Sequence, residues 1–196
     1  MIKNIALLLF FCGLLSNTKA DTTVLNFNIL HKNKVVGSLV ATKVINGDII
    51  SYHSFTQIQT KIITTVDLKY DYNVTFNSDK LFKSNVSILL NGKSLAETST
   101  LFRNGEYLVN KNKKVLKLQD SIVYSTVLLY FKEPINVKEC YSEQDGSFNT
   151  LVSLGNHKYK KINSKGNENV YVYKNGVLYE ATIDGGLINF VIQLKK

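Results

Sequence analysis

A chain of 196 residues with 24 lysines and arginines against 15 acidic residues has a formal charge of +9, yet Arg103 is its only arginine. Bidentate phosphate recognition relies on arginine, so a basic balance built from dispersed lysines argues against a nucleic-acid reader. With only Cys12 and Cys140, the chain has no disulfide framework to staple it.

Met1 to Ala20 has the order of a secretory signal peptide. Lys3 is followed by an apolar run from Ile5 to Leu15, and Asn17-Thr-Lys-Ala20 ends on a small residue. The run is shorter than the roughly 20 apolar residues of a membrane span. Leu9-Phe-Phe-Cys12 puts bulky rings where a lipoprotein signal needs small residues. The expectation is export with cleavage after Ala20, leaving 21–196 as a single β-rich domain that does not span the membrane. Asn, Lys and Ile richness with little Arg and Pro points to an AT-rich bacterial genome, hence to the periplasm or cell envelope of a Gram-negative bacterium. Cys140 is then the only thiol of the mature chain, read as a small buried hydrophobe.

The clearest structural signal follows at 66–76. Val66, Leu68, Tyr70, Tyr72, Val74 and Phe76 alternate with Asp67, Lys69, Asp71, Asn73 and Thr75. Strict period two marks a strand with one buried and one wet face. Residues 81–90 repeat the pattern. Asn46-Gly-Asp, Asn91-Gly, Asn104-Gly, Asp145-Gly and Asn175-Gly separate further β-rich runs and suit type I′ turns, in which both central residues take positive φ. Strands are expected near 24–31, 35–46, 49–63, 66–77, 81–90, 93–102, 106–110, 114–119, 137–142, 148–154, 157–163, 169–174, 177–184 and 187–195.

Residues 120–131 interrupt this rhythm. Asp120 or Ser121 can cap a helix, Ile122, Val123, Val127, Tyr130 and Phe131 fall at helical spacing, and Pro134 would end it. The β-branched content pulls toward a strand instead. The expected fold is mainly β: a single antiparallel, strongly curved sheet or open β-barrel or β-roll, with one short helix near 120–131 plugging it.

Sites of chemistry are sparse. His31, His53 and His157 lie in separate segments without metal-ligand spacing, so neither a metal nor a cofactor is expected. No nucleophile elbow or phosphate loop occurs, and no catalytic residue is assigned. The densest block is Tyr130-Phe-Lys-Glu-Pro134 followed by Cys140-Tyr-Ser-Glu-Gln-Asp-Gly146. Paired carboxylates such as Glu133 and Glu143 would serve a hydrolase only if they converge in one cleft; a polar strand end is the plainer reading. Lys111-Asn-Lys-Lys114 and Lys158-Tyr-Lys-Lys161 read as solvated hairpin faces. Candidate ligand-binding residues are Tyr130, Glu133, Tyr141, Glu143 and His157.

Ile58-Gln-Thr-Lys-Ile-Ile63, Tyr70-Asp-Tyr-Asn-Val-Thr-Phe76, Tyr124-Ser-Thr-Val-Leu-Leu-Tyr-Phe-Lys-Glu-Pro134, Ser142-Glu-Gln-Asp-Gly-Ser-Phe148 and Tyr171-Val-Tyr-Lys-Asn-Gly-Val-Leu178 carry a resemblance. The chain resembles an exported bacterial family of unknown function, domain-of-unknown-function family 6134, over essentially its whole mature length. The resemblance implies a fold and a compartment and transfers no catalytic residue. Two functions are carried forward: an exported, non-catalytic protein holding an apolar or lipid-like small molecule in the concave face of its sheet, or an envelope interaction or assembly protein with a packed interior and an envelope-protein partner. A carboxylate-dependent hydrolase is the third.

Overall fold

The computed structural model describes residues 20–61, 65–185 and 188–196. Apart from Ala20, the expected export segment lies outside the described residues. The strands are β1 (Asp21–His31), β2 (Lys34–Asn46), β3 (Ile49–Lys61), β4 (Thr65–Asn77), β5 (Lys80–Leu90), β6 (Lys93–Arg103), β7 (Glu106–Lys111), β8 (Lys114–Leu118), β9 (Glu139–Ser142), β10 (Ser147–Gly155), β11 (Lys158–Ile162), β12 (Glu168–Lys174), β13 (Val177–Asp184) and β14 (Asn189–Leu194). Each expected strand forms, with shifts at the ends; residues 62–63 of the expected 49–63 strand and residue 187 of the expected 187–195 strand lie outside the described residues. His157, expected in a strand, sits in the turn before β11.

All fourteen belong to one antiparallel sheet in the order β8-β7-β6-β5-β4-β3-β2-β1-β14-β13-β12-β11-β10-β9. The two halves of the meander meet where β1 pairs with β14, and β8 and β9 remain as unclosed ends. Period two in the sequence becomes facing in the sheet: Leu68, Val74 and Phe76 of β4 are buried, with Tyr70 and Tyr72 packed against the same core. That core gathers Phe27, Ile29, Leu39, Ile58, Ile88 and Leu178 from strands far apart in the order, which requires the sheet to curl over its own inner face.

Turn chemistry fixes the hairpins. Asn91-Gly92, Asn104-Gly105 and Asn175-Gly176 have positive φ at both residues, as type I′ geometry demands. Lys32-Asn33, Asn112-Lys113 and Asn156-His157 reach the same region without glycine. Gly37 has a different task. A Cβ there would lie 2.0 Å from the Gln57 carbonyl oxygen, so only glycine lets β2 approach β3 beside the β1–β2 bulge at Ile29/Leu30.

The plug between β8 and β9 is shorter than the helix expected over 120–131. Only Thr126–Tyr130 is helical, as a 3₁₀ turn, and its N-cap is Ser125, not Asp120 or Ser121. Residues before it pair with strands instead: the Leu81 N–H donates to the Ile122 carbonyl at 2.9 Å, and the Tyr141 N–H to the Tyr124 carbonyl at 2.9 Å. Ser125 also bridges Tyr141 in parallel, so this segment covers part of the β9 edge. β-branched Ile122 and Val123 lose little in extended pairing and would lose side-chain freedom in a helix. A five-residue turn has no stability of its own. Val127, Leu128 and Leu129 hold it by burial, the Tyr173 hydroxyl donates to the Leu129 carbonyl at 2.9 Å, and the Phe27–Tyr130 and Tyr52–Phe131 rings sit 5.8 and 5.5 Å apart. No helix among the described residues is long and apolar enough to cross a membrane.

Candidate functional site

The 3₁₀ turn divides the concave face. On the side of Leu128 a groove of about 990 Å³ opens between β2–β4 and the 121–139 segment. Its floor is Tyr52, Phe76, Tyr124, Leu128 and Phe148, and Lys43, Lys132 and Lys138 stand around it. On the side of Thr126 and Tyr130 lies a second cavity of about 380 Å³, whose walls come from β3, β4, β10, β11 and β12. This one is polar: Thr56, Tyr72, Asn149, Lys161, Asn169 and Tyr171 face it, over a smaller apolar base that includes Leu39, Phe190 and Ile192. The concave face is therefore neither one apolar pocket nor wholly filled by Phe and Leu.

The five candidate residues separate into two groups. Tyr130 lines the polar cavity, and burial raises its hydroxyl above the usual tyrosine range. Glu143 lies buried beneath the turn. Its two oxygens accept the Thr126 and Val127 N–H groups at 3.0 and 3.2 Å, anchoring the 3₁₀ turn at its start. Burial raises the Glu143 carboxyl above its ordinary value, against the opposing pull of the backbone N–H groups and Lys161. Tyr141 is fully buried, its hydroxyl 2.7 Å from Thr100 Oγ1, and burial pushes it up to about 12.

Glu133 and His157 form the second group. His157 Nδ1 lies 3.0 Å from Glu133 Oε1, and the Tyr159 hydroxyl donates to the same oxygen at 2.7 Å. Glu133 is buried while the His157 side chain is 70% exposed. His157 precedes β11 and the cavity-lining Asn163 follows it, so this pair and the polar cavity lie at opposite ends of that strand. Glu133 and Glu143 do not share a cleft: neither lines the polar cavity, and each carboxylate is already engaged with protein donors. The reading of Glu133 and Glu143 as parts of a polar strand end fails, because both side chains are buried. Cys140 is fully buried, and burial pushes its thiol up to about 12, so it is a poor nucleophile. Among the described residues, no group of three or more His, Cys, Asp or Glu could hold a metal ion.

Lys161 is the buried cavity residue that sequence reasoning missed. It was read as part of a solvated hairpin face, yet it is only 7% exposed. Tyr159 and Lys161 share one face of β11, and Tyr159 is inward, which was the available signal. Burial works to lower the Lys161 ammonium, but the neighbouring Tyr171, Cys140, Glu143 and Asp145 groups outweigh it and hold it above the ordinary lysine value. Asn149 was also missed; it lies on β10, where buried Asn149 and Leu151 alternate with exposed Thr150 and Val152.

A sequence model described as a domain of unknown function (DUF6134) matches residues 27–195. No curated protein matches the chain. Among solved structures, the fold is similar to the crystal structure of a beta-barrel-like protein of domain of unknown function DUF1849 from Brucella abortus. The TM-score is 0.51 at 12% identity, over 88% of this chain and 95% of that one. At such identity the likeness carries the fold alone.

Proposed function

We propose that this chain, which belongs to the DUF6134 family, is a non-catalytic binding protein that works in the cell envelope and holds a lipid-like ligand in its concave face. The carrying observation is the groove of about 990 Å³ floored by Tyr52, Phe76, Tyr124, Leu128 and Phe148. Small-molecule sites are usually cavities of roughly 300–1,000 Å³, and this groove joins that apolar set to a polar and charged rim, as an amphiphile requires. Lys43, Lys132 and Lys138 outnumber Asp79 and Glu139 around the groove, which suits an amphiphile with an acidic head, since a lysine can spread its stem on apolar surface while its ammonium stays wet. The export-signal pattern of residues 1–20 supports the compartment.

Titration with a dansylated undecanoic acid tests this reading. Saturable fluorescence enhancement is expected, weakened by about tenfold or more in Ser121→Trp, which fills the groove from an exposed position. No saturable binding, or equal binding by that variant, would remove the groove as a ligand site.

One observation favours the interaction reading as a second choice. β8 ends the sheet with Val115 and Leu116 exposed, and Leu101 and Phe102 on nearby β6 are exposed too. Unpaired apolar edge strands are surfaces that take partners. That reading predicts a protein partner lost in Leu116→Lys while fatty-acid binding persists.

A further inference from the structure

The polar cavity is built for a different molecule from the groove. Lys161 is buried, and its Nζ donates to Thr126 Oγ1 at 3.2 Å as its one hydrogen bond to a described residue. No carboxylate oxygen of a described residue lies within ion-pair distance of it; the ion pairs formed by lysine here belong to Lys69, Lys111, Lys117 and Lys160. A buried ammonium with one neutral acceptor is under-satisfied, because it has three donors and has lost its water. Asn149, 3% exposed on the same wall, has its Oδ1 buried without any hydrogen-bond partner. An orphaned buried acceptor is costly unless something supplies a donor.

Strand register brings the two together. Leu151 pairs with Lys161, so Asn149, two residues earlier on β10, is the diagonal neighbour of Lys161 on the inward face. Diagonal neighbours in an antiparallel pair lie about 7–8 Å apart, a span that one small molecule bridges. We propose that this cavity binds a small hydroxylated organic acid, with its carboxylate on the Lys161 ammonium and a hydroxyl donating to Asn149 Oδ1.

The other charges fit a single carboxylate. Asp145 is matched by Ser142 Oγ at 2.9 Å and by Lys111 Nζ at 3.7 Å, and Glu143, which does not line the cavity, spends both oxygens on the Thr126 and Val127 N–H groups. Asp184 and Lys165 are on the rim. Tyr72 and Tyr171 line the cavity as aromatic residues of the type that packs on sugar rings, and Leu39 and Phe190 supply an apolar base. One buried ammonium balances the single negative charge of a carboxylate, whereas a phosphate monoester brings about −1.5 to −2 at neutral pH.

The test uses sodium D-glucuronate against D-glucose, its neutral counterpart, by calorimetric titration of the mature chain. Glucuronate is expected to bind about tenfold or more tighter than glucose. Lys161→Met should erase that preference, and Asn149→Leu should weaken both sugars. Ser164→Trp, at an exposed position on the cavity rim, should block glucuronate without touching the core, which covers the case in which a buried variant fails to fold. Equal affinity for the two sugars, unchanged glucuronate binding in Lys161→Met or Ser164→Trp, or no glucuronate binding would overturn the assignment. Dansylundecanoate binding by the same proteins reports the groove separately, so either site can fail alone.

Discussion

Leu129→Ala probes whether the short turn is the keystone of the curled sheet. Leu129 is fully buried, and its carbonyl is pinned by the Tyr173 hydroxyl at 2.9 Å, so the turn cannot simply sink into the space left behind. The substitution removes three carbons, worth about 2.4 kcal/mol at ~0.8 per buried carbon. A residual void of roughly 50 Å³ adds about 1.2 kcal/mol at ~24 cal/mol per Å³, for a total near 3–4 kcal/mol. Urea denaturation should show a lower midpoint with an unchanged slope. Amide exchange adds a spatial signature. Leu81 and Tyr141, whose N–H groups bond to the 122–124 segment, should lose protection before the amides shared by β3 and β4. A loss below about 1 kcal/mol, or uniform loss of protection across the sheet, would refute the keystone reasoning.

Three further outcomes follow from the buried polar groups. Tyr159→Phe removes one of the donors to buried Glu133 and should cost about 1.5–3 kcal/mol, the range for hydrogen bonds to charged groups; a neutral change in a thermal melt would mean that His157 alone satisfies it. Glu143 has its folded carboxyl raised above the ordinary 4.5, so its charged form is dearer folded than unfolded. Its contribution to stability should therefore rise as pH falls through the folded value and level off near the unfolded one, moving wild type upward relative to Glu143→Gln in paired melts; a difference that is flat or moves the other way contradicts it. Cys140, with its thiol at about 12 and no exposure, should react with a thiol reagent only as fast as the protein opens, and rapid labelling of the native chain would show the burial to be wrong.

The fold was legible where chemistry repeats along the chain. Alternation through Val66–Phe76 and the three Asn-Gly turns at 91, 104 and 175 dictate antiparallel hairpins from local forces alone. Residues 122–125 were legible as extended only through their β-branched content; helical spacing pointed the other way, because their partners Leu81 and Tyr141 lie about forty and sixteen residues away and spacing cannot register such pairing. The site was harder still. Lys161 sits in a run that reads as a wet surface, and only the shared facing with Tyr159 betrays it. Glu143 is buried because two N–H groups of the turn require an acceptor there, a demand visible only once the turn's position is known. The DUF6134 resemblance, by contrast, was readable from the motif residues and covers nearly the same stretch that the family match does.

Native mass spectrometry with lipid extraction, on the protein purified from its own host, tests the central claim most directly. A bound acidic amphiphile that co-purifies with wild type and is lost from Ser121→Trp is the predicted result. A bare mass for wild type, indistinguishable in ligand content from the groove-filled variant, would contradict a lipid-binding role for the concave face.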